Sequence, residues 1–259
     1  MKNKTCLIVY IGNGYSENIL HGSGEYRYSI DMTNCLQNHV ANLIAPLQLM
    51  GFKSDIALIT NKHKKYNEFK KKYGAINIEY DDLTQEDIDC LYHLYFSLRI
   101  PEGWGPGSFY CGGRMLKIRE KMPEYDYYIF VRTDLLFKIS IFDLNIDLNK
   151  INYLWIETES SYLKKGTDQI IEGLDDRIFW RDYNRVSGNS FSIVPKKYIN
   201  PFISCMWADH CSLHLILKDF SPFISLNDIN FMCGEKRCYS ANSNYSTNPV
   251  YTFNKKILA

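Results

Sequence analysis

The residues of this chain best suited to chemistry by type and spacing are Arg132, Thr133 and Asp134, which close the run Tyr125-Asp126-Tyr127-Tyr128-Ile129-Phe130-Val131. That run is dominated by aromatic and β-branched residues and holds no glycine or proline, which predicts a strand buried on both faces. In an open α/β sheet, ligands sit in the crevice beyond the carboxyl ends of such strands. A carboxylate there can hold a divalent cation against a pyrophosphate, because hard cations take oxygen ligands. The neighbouring arginine can fork onto phosphate or carboxylate oxygens. The alternative is a strand capped by a structural Arg132–Asp134 ion pair.

The elements that must position these residues follow from apolar periodicity. Thr5–Tyr10 predicts a first strand, broken by Ile11-Gly12-Asn13-Gly14 where a strand-to-helix loop would approach a nucleotide. The spacing is not GxGxxG, so a dinucleotide fingerprint is absent. Residues 15–30 are polar and glycine-containing, and read as a mobile loop over the site. Asp31 caps a helix to Met50, with Leu36, Val40, Leu43, Ile44 and Leu47 at helical spacing, a kink at Pro46 and a stop at Gly51. Ser54–Thr60 is a second strand, and a lysine-rich helix from Asn61 to Lys72 stops at Gly74; its lysines read as a solvated face. Ile76–Tyr80 is a third short strand, and Leu83–Asp87 carries a staple and capping signal for a helix to Arg99. After a Gly/Pro-rich loop, a helix from Phe109 to Met122 feeds the central strand, with Arg114 and Lys117 on one face.

Beyond Phe137 the chain changes character. Residues 141–152 are linker-like, Tyr153–Glu157 and Gly188–Val194 are strands, and Lys196–Cys205 and 207–219 are helices. Phe223–Leu226 reads as a last strand, and the tail from Glu235 as irregular. The order predicts an α/β fold: a mostly parallel twisted sheet with helices on both faces.

Composition bounds the function. The 259 residues suffice for one large domain with a sizeable core. A formal charge of +1 gives no electrostatic support for a nucleic-acid partner. The 20 tyrosines suit a cleft for sugars or bases, or reflect drift in an AT-rich genome. Eight cysteines form no CxxC pair, and Cys233 and Cys238 bracket a short loop that reads as a hairpin with free thiols. No signal-length or membrane-length apolar stretch occurs, so reduced thiols in a cytoplasmic protein without a transmembrane segment are expected. His210 and His214 have metal-compatible spacing, or are one packed and one solvated histidine.

With these elements in place the chain resembles a small GT-A glycosyltransferase of the bacterial surface-polysaccharide and large DNA virus type. The resemblance rests on the first strand and Gly12, a loop with Arg27, the helix holding Asn38-His39, Leu43-Ile44, Pro46-Leu47 and Gly51, the Asp55–Thr60 strand, and above all residues 125–137. In such enzymes an Asp-any-Asp motif ends the central strand and holds Mn²⁺ or Mg²⁺ on the diphosphate of a nucleotide sugar. Here Arg132 replaces the first Asp, leaving Asp134 as the single implied metal ligand. The resemblance implies a GT-A-like single domain over 1–259. Its nucleotide-sugar-binding half would be 1–137 and its acceptor-side half 138–259, with a UDP-sugar donor and a glycan or lipid-linked acceptor. The donor side would use Tyr10, Gly12, Arg27, Thr60, Arg114, Lys117, Arg132 and Thr133. An inverting enzyme needs a carboxylate to take the acceptor hydroxyl proton, and Asp176 and Asp209 are the candidates. A non-catalytic nucleotide- or glycan-binding module with a decayed metal site is the other reading.

Overall fold

A computed structural model describes residues 4–12, 14–20, 27–60, 63–78, 84–87, 89–90, 114–115, 117–154, 156–157, 185–186, 191–208, 226–233, 250–254 and 256–258. Its centre is a six-stranded sheet of β1 (Lys4–Gly12), β4 (Phe52–Thr60), β5 (Tyr127–Arg132), β7 (Ile151–Tyr153), β10 (Phe191–Pro195) and β11 (Ile229–Phe231), ordered β11-β7-β10-β5-β1-β4. β10 runs antiparallel to β5 and β7, and every other pairing in this sheet is parallel. The expected mixed α/β fold with a mostly parallel sheet is therefore present. Pro195 closes β10, where its missing N–H costs the ladder least.

β1 has apolar side chains on both faces because both are covered. Cys6, Ile8 and Tyr10 join one core with Leu43, Leu47, Phe69 and Tyr73. Leu7, Val9 and Ile11 join the other with Met115, Ile118, Phe202 and Ile203. The first face is covered by the helix of α1 (Leu36–His39), a π turn (Val40–Ile44) and α2 (Ala45–Leu49), together with α3 (Tyr66–Tyr73). The second is covered by the helical residues around 114–121 and by α4 (Ile199–Ala208).

Asp31 caps the first helical turn as expected, its side chain accepting from the Thr33 N–H. Pro46 does not snap the helix. An α-helical proline clashes with the carbonyl four residues back, and here the preceding turn widens so that the Ala45 N–H reaches Val40 O, five residues back. Gly51 and Gly74 end their helical segments at φ 83° and 60°, the left-handed region that favours glycine. Thr84 and Asp87 exchange capping bonds: the Thr84 N–H donates to Asp87 Oδ2 at 2.7 Å, and the Asp87 N–H to Thr84 Oγ1 at 3.1 Å.

Four expectations change. Within the stretch read as a mobile loop lie β2 (Tyr15–Leu20) and β3 (Arg27–Asp31), antiparallel partners in a small sheet. The tail read as irregular supplies β12 (Tyr251–Phe253), paired with β6 (Leu135–Phe137), and β13 (Lys256–Leu258), paired with β3. Both pairings join residues over a hundred positions apart, which local pattern does not register. Ile76–Ile78 forms no strand; the Ile76 N–H makes one edge bond to Ile56 O at 2.8 Å. Leu226 begins a 3₁₀ turn, and the strand follows at Ile229. β8 (Ile156–Glu157) and β9 (Arg185–Val186) form a separate short pair. No helix among the described residues is long and apolar enough to cross a membrane.

Candidate functional site

β1 lies between β4 and β5, and the chain passes from β1 to β4 on one side before crossing to β5 on the other. The carboxyl ends of β1 and β5 therefore flank a topological switch point, where open α/β sheets form their crevice. Gly12 sits there, paired in register with Thr60 of β4. On its other side the Thr133 N–H donates to Ile11 O at 3.1 Å. Gly12 has φ 122°, and a Cβ on it would stand 3.3 Å from Thr133 Oγ1. Glycine is needed twice over, for the backbone conformation and for the close approach.

Arg132 and Asp134 make a forked pair: Nε donates to Oδ1 and Nη2 to Oδ2, both at 2.9 Å. The carboxylate is 2% exposed and the guanidinium 31%. The structure thus brings Gly12, Thr60, Arg132, Thr133 and Asp134 to one sheet edge. Arg114 is buried, within helical backbone. Lys117 is paired with Asp87 at 2.5 Å, which ties that stretch to the Thr84 turn and holds the Asp87 carboxyl down at about 2. Tyr10 lies inside the core, its ring stacked 4.9 Å from that of His39. Arg27 contributes its backbone to β3. Asp176, Asp209, His210, His214 and Cys238 lie outside the described residues.

A divalent cation on Asp134 was the expectation from the resemblance. Both oxygens of that carboxylate are committed to Arg132, and among the described residues no group of three His, Cys, Asp or Glu side chains converges. The described donor set does not fit a cation held by protein ligands.

Beneath this edge lies a buried polar layer that periodicity did not single out. His39 is fully buried; Nε2 donates to Leu135 O at 2.7 Å, and Nδ1 faces the Tyr73 hydroxyl at 3.2 Å. That hydroxyl donates to Met32 O at 2.9 Å. Burial pushes the imidazole down to about 4, outweighing the Leu135 bond and the nearby Asp134 charge, so the ring is neutral near pH 7. Burial likewise pushes the Cys35 thiol up to about 12. Asn38 pairs with β6 as a strand would: its Nδ2 donates to Phe137 O at 2.8 Å, and the Phe137 N–H donates to its Oδ1 at 2.7 Å. Asn254, between β12 and β13, donates its N–H to Asp134 O at 2.7 Å and its Nδ2 to Asp31 O at 3.1 Å. No short motif flags Asn254; the only local hint is the strand-forming Tyr251-Thr252-Phe253 before it.

Near β2 and β3 two ion pairs are described. Lys65 pairs with Asp31 and Lys64 with Glu17, each at 2.6 Å, and both ammonium groups sit over the Tyr15 ring. Burial works to raise the Asp31 carboxyl, but its Lys65 and Thr33 hydrogen bonds outweigh this and lower it.

No protein-family model matches this chain, and no curated protein matches it in sequence.

Proposed function

We propose that the chain is a glycosyltransferase with a GT-A-like arrangement, moving a sugar from a nucleoside-diphosphate sugar, UDP-linked in the first instance, to a glycan or lipid-linked acceptor. The observation that carries this reading is the switch point itself: a glycine at φ 122° closing against Thr133, with a half-exposed arginine one residue away. A crevice at the carboxyl ends of the strands suits a diphosphate, and a guanidinium suits its charge. Transfer develops negative charge on the leaving β-phosphate, and an arginine held nearby stabilises that charge in the transition state. Asp134 keeps the guanidinium in place in this scheme. Asp176 and Asp209 remain the proposed bases for the acceptor hydroxyl.

The second reading, a non-catalytic nucleotide- or glycan-binding module, is favoured by one observation: the carboxylate that a metal-dependent enzyme would offer to a cation is occupied by Arg132.

Calorimetric titration with UDP, GDP, dTDP and uridine tests both. Charge-assisted contacts contribute about 1.5–3 kcal/mol, so losing Arg132 should weaken nucleoside diphosphate binding at least tenfold and uridine binding hardly at all. Arg132→Gln with Asp134→Asn is the variant of choice, because it leaves no lone buried carboxylate. Failure of every nucleotide to bind the native protein refutes both readings in their nucleotide form. Binding without hydrolysis or transfer of a UDP-sugar favours the module.

A further inference from the structure

We propose that Asn254 is the positioning residue of the Arg132–Asp134 pair, and that residues 250–254 and 256–258 act as a strap without which the guanidinium is not held at the switch point. The inference rests on the functional reading above for its binding consequence, but not for its geometry.

Asp134 is turn backbone between β5 and β6, held on either side by different parts of the chain. Upstream, the Thr133 N–H is bonded to Ile11 O. Downstream, the Asp134 carbonyl accepts the Asn254 N–H at 2.7 Å, and the Lys138 N–H donates to Val250 O, also at 2.7 Å. Between these two bonds β12 pairs with β6, Tyr251 opposite Phe137 and Phe253 opposite Leu135. The strap then leaves this pairing and adds to β3, Lys256 opposite Ser29 and Leu258 opposite Arg27. Asn254 is the residue at the change of partner. Its side-chain amide spans the junction by donating to Asp31 O at 3.1 Å. Asp31 is itself fixed by Thr33 and Lys65.

One residue therefore joins the main chain of the turn that presents Arg132 and Asp134 to the end of β3. The pair's geometry depends on that turn, because the two side chains are two residues apart and a fork with both bonds at 2.9 Å tolerates little backbone drift. Thr133 and Asp134 are buried, so water competes little for the main chain of this turn. The strap comes from the far end of the sequence, so the donor-side edge is complete only once the C-terminal residues have docked.

The test uses the full-length chain carrying Asn254→Ala, with Asn254→Ser as the milder variant that keeps a donor. The first readout is the nuclear magnetic resonance signal of the Arg132 Nε–H, which is distinct and protected while it donates to Asp134, whatever the ligand. In Asn254→Ala the signal should move to the free-guanidinium position or exchange at least tenfold faster, with partial return in Asn254→Ser. The second readout is UDP affinity, expected to fall at least fivefold while uridine affinity changes less than twofold. An Arg132 signal unchanged in both variants overturns the proposal even if the protein binds UDP. Native protein that binds no nucleoside diphosphate overturns the functional reading while the Arg132 signal still decides the role of Asn254. Should Asn254→Ala fail to fold, Asn254→Ser against native carries the same two readouts, and equality in both overturns the proposal.

Discussion

His39 should make this protein lose stability steeply between pH 7 and pH 5. The imidazole is fully buried, with Tyr10 stacked on one face, Tyr73 beside it and the Asp134 charge close enough to act on it. Its pKa falls from the ordinary 6.5 to about 4. A folded pKa below the unfolded one means that the unfolded chain binds more protons in this window. Stability therefore rises with pH from about 4 to 6.5 and is lost as pH falls through it. Taking those two values, protonation of the unfolded chain alone costs the fold about 2 kcal/mol between pH 7 and pH 5. Urea unfolding at the two pH values measures it, and His39→Gln, which can keep a donor toward Leu135 O, is the control. His63 is shifted in the same direction, also by burial, but contributes equally to native and variant. The native protein should lose about 2 kcal/mol more than His39→Gln over this interval. Equal losses in the two proteins would refute the assignment and place the pH dependence on other groups.

Gly12→Ala should cost about 1–3 kcal/mol in urea unfolding, because the new Cβ meets Thr133 Oγ1 at 3.3 Å and alanine is strained at φ 122°; an unchanged midpoint would mean the β1 end can relax. Gly74→Ala meets no neighbour but keeps φ 60°, so the expected loss is smaller, about 1–2 kcal/mol, with Gly74→Asn recovering part of it. Phe202→Ala should cost about 3–5 kcal/mol, since Phe202 is buried and stacks on Phe130 at 5.0 Å between ring centroids. A loss under 1 kcal/mol at Phe202 would show that α4 collapses onto the sheet.

The parts legible in the sequence are those whose signal is local. β1 and β5 declare themselves because a strand buried on both faces is apolar at every position, whatever its partners. Asp31, Gly51 and Gly74 mark helix ends because caps and left-handed turns are chosen by the residue that occupies them. The order of strands and helices was enough for a mostly parallel sheet, covered on both faces. Even the motif Arg132-Thr133-Asp134 could be placed at a strand end, since its polar residues follow an unbroken apolar run.

Only the tertiary structure shows how the side chains of that motif meet: the Asp134 carboxylate is forked by its own neighbour Arg132. Two residues apart, an arginine and an aspartate can face each other or face a ligand, and only the backbone turn between them chooses. Pairings of long sequence separation were equally closed to local reading. β13 reaches β3 through main-chain bonds that any residue but proline could make, and the Asn254 side-chain amide reaches Asp31 O across 223 positions. Backbone hydrogen bonds leave almost no trace in side-chain identity, so the tail that completes the candidate site reads as irregular until the chain has folded around it.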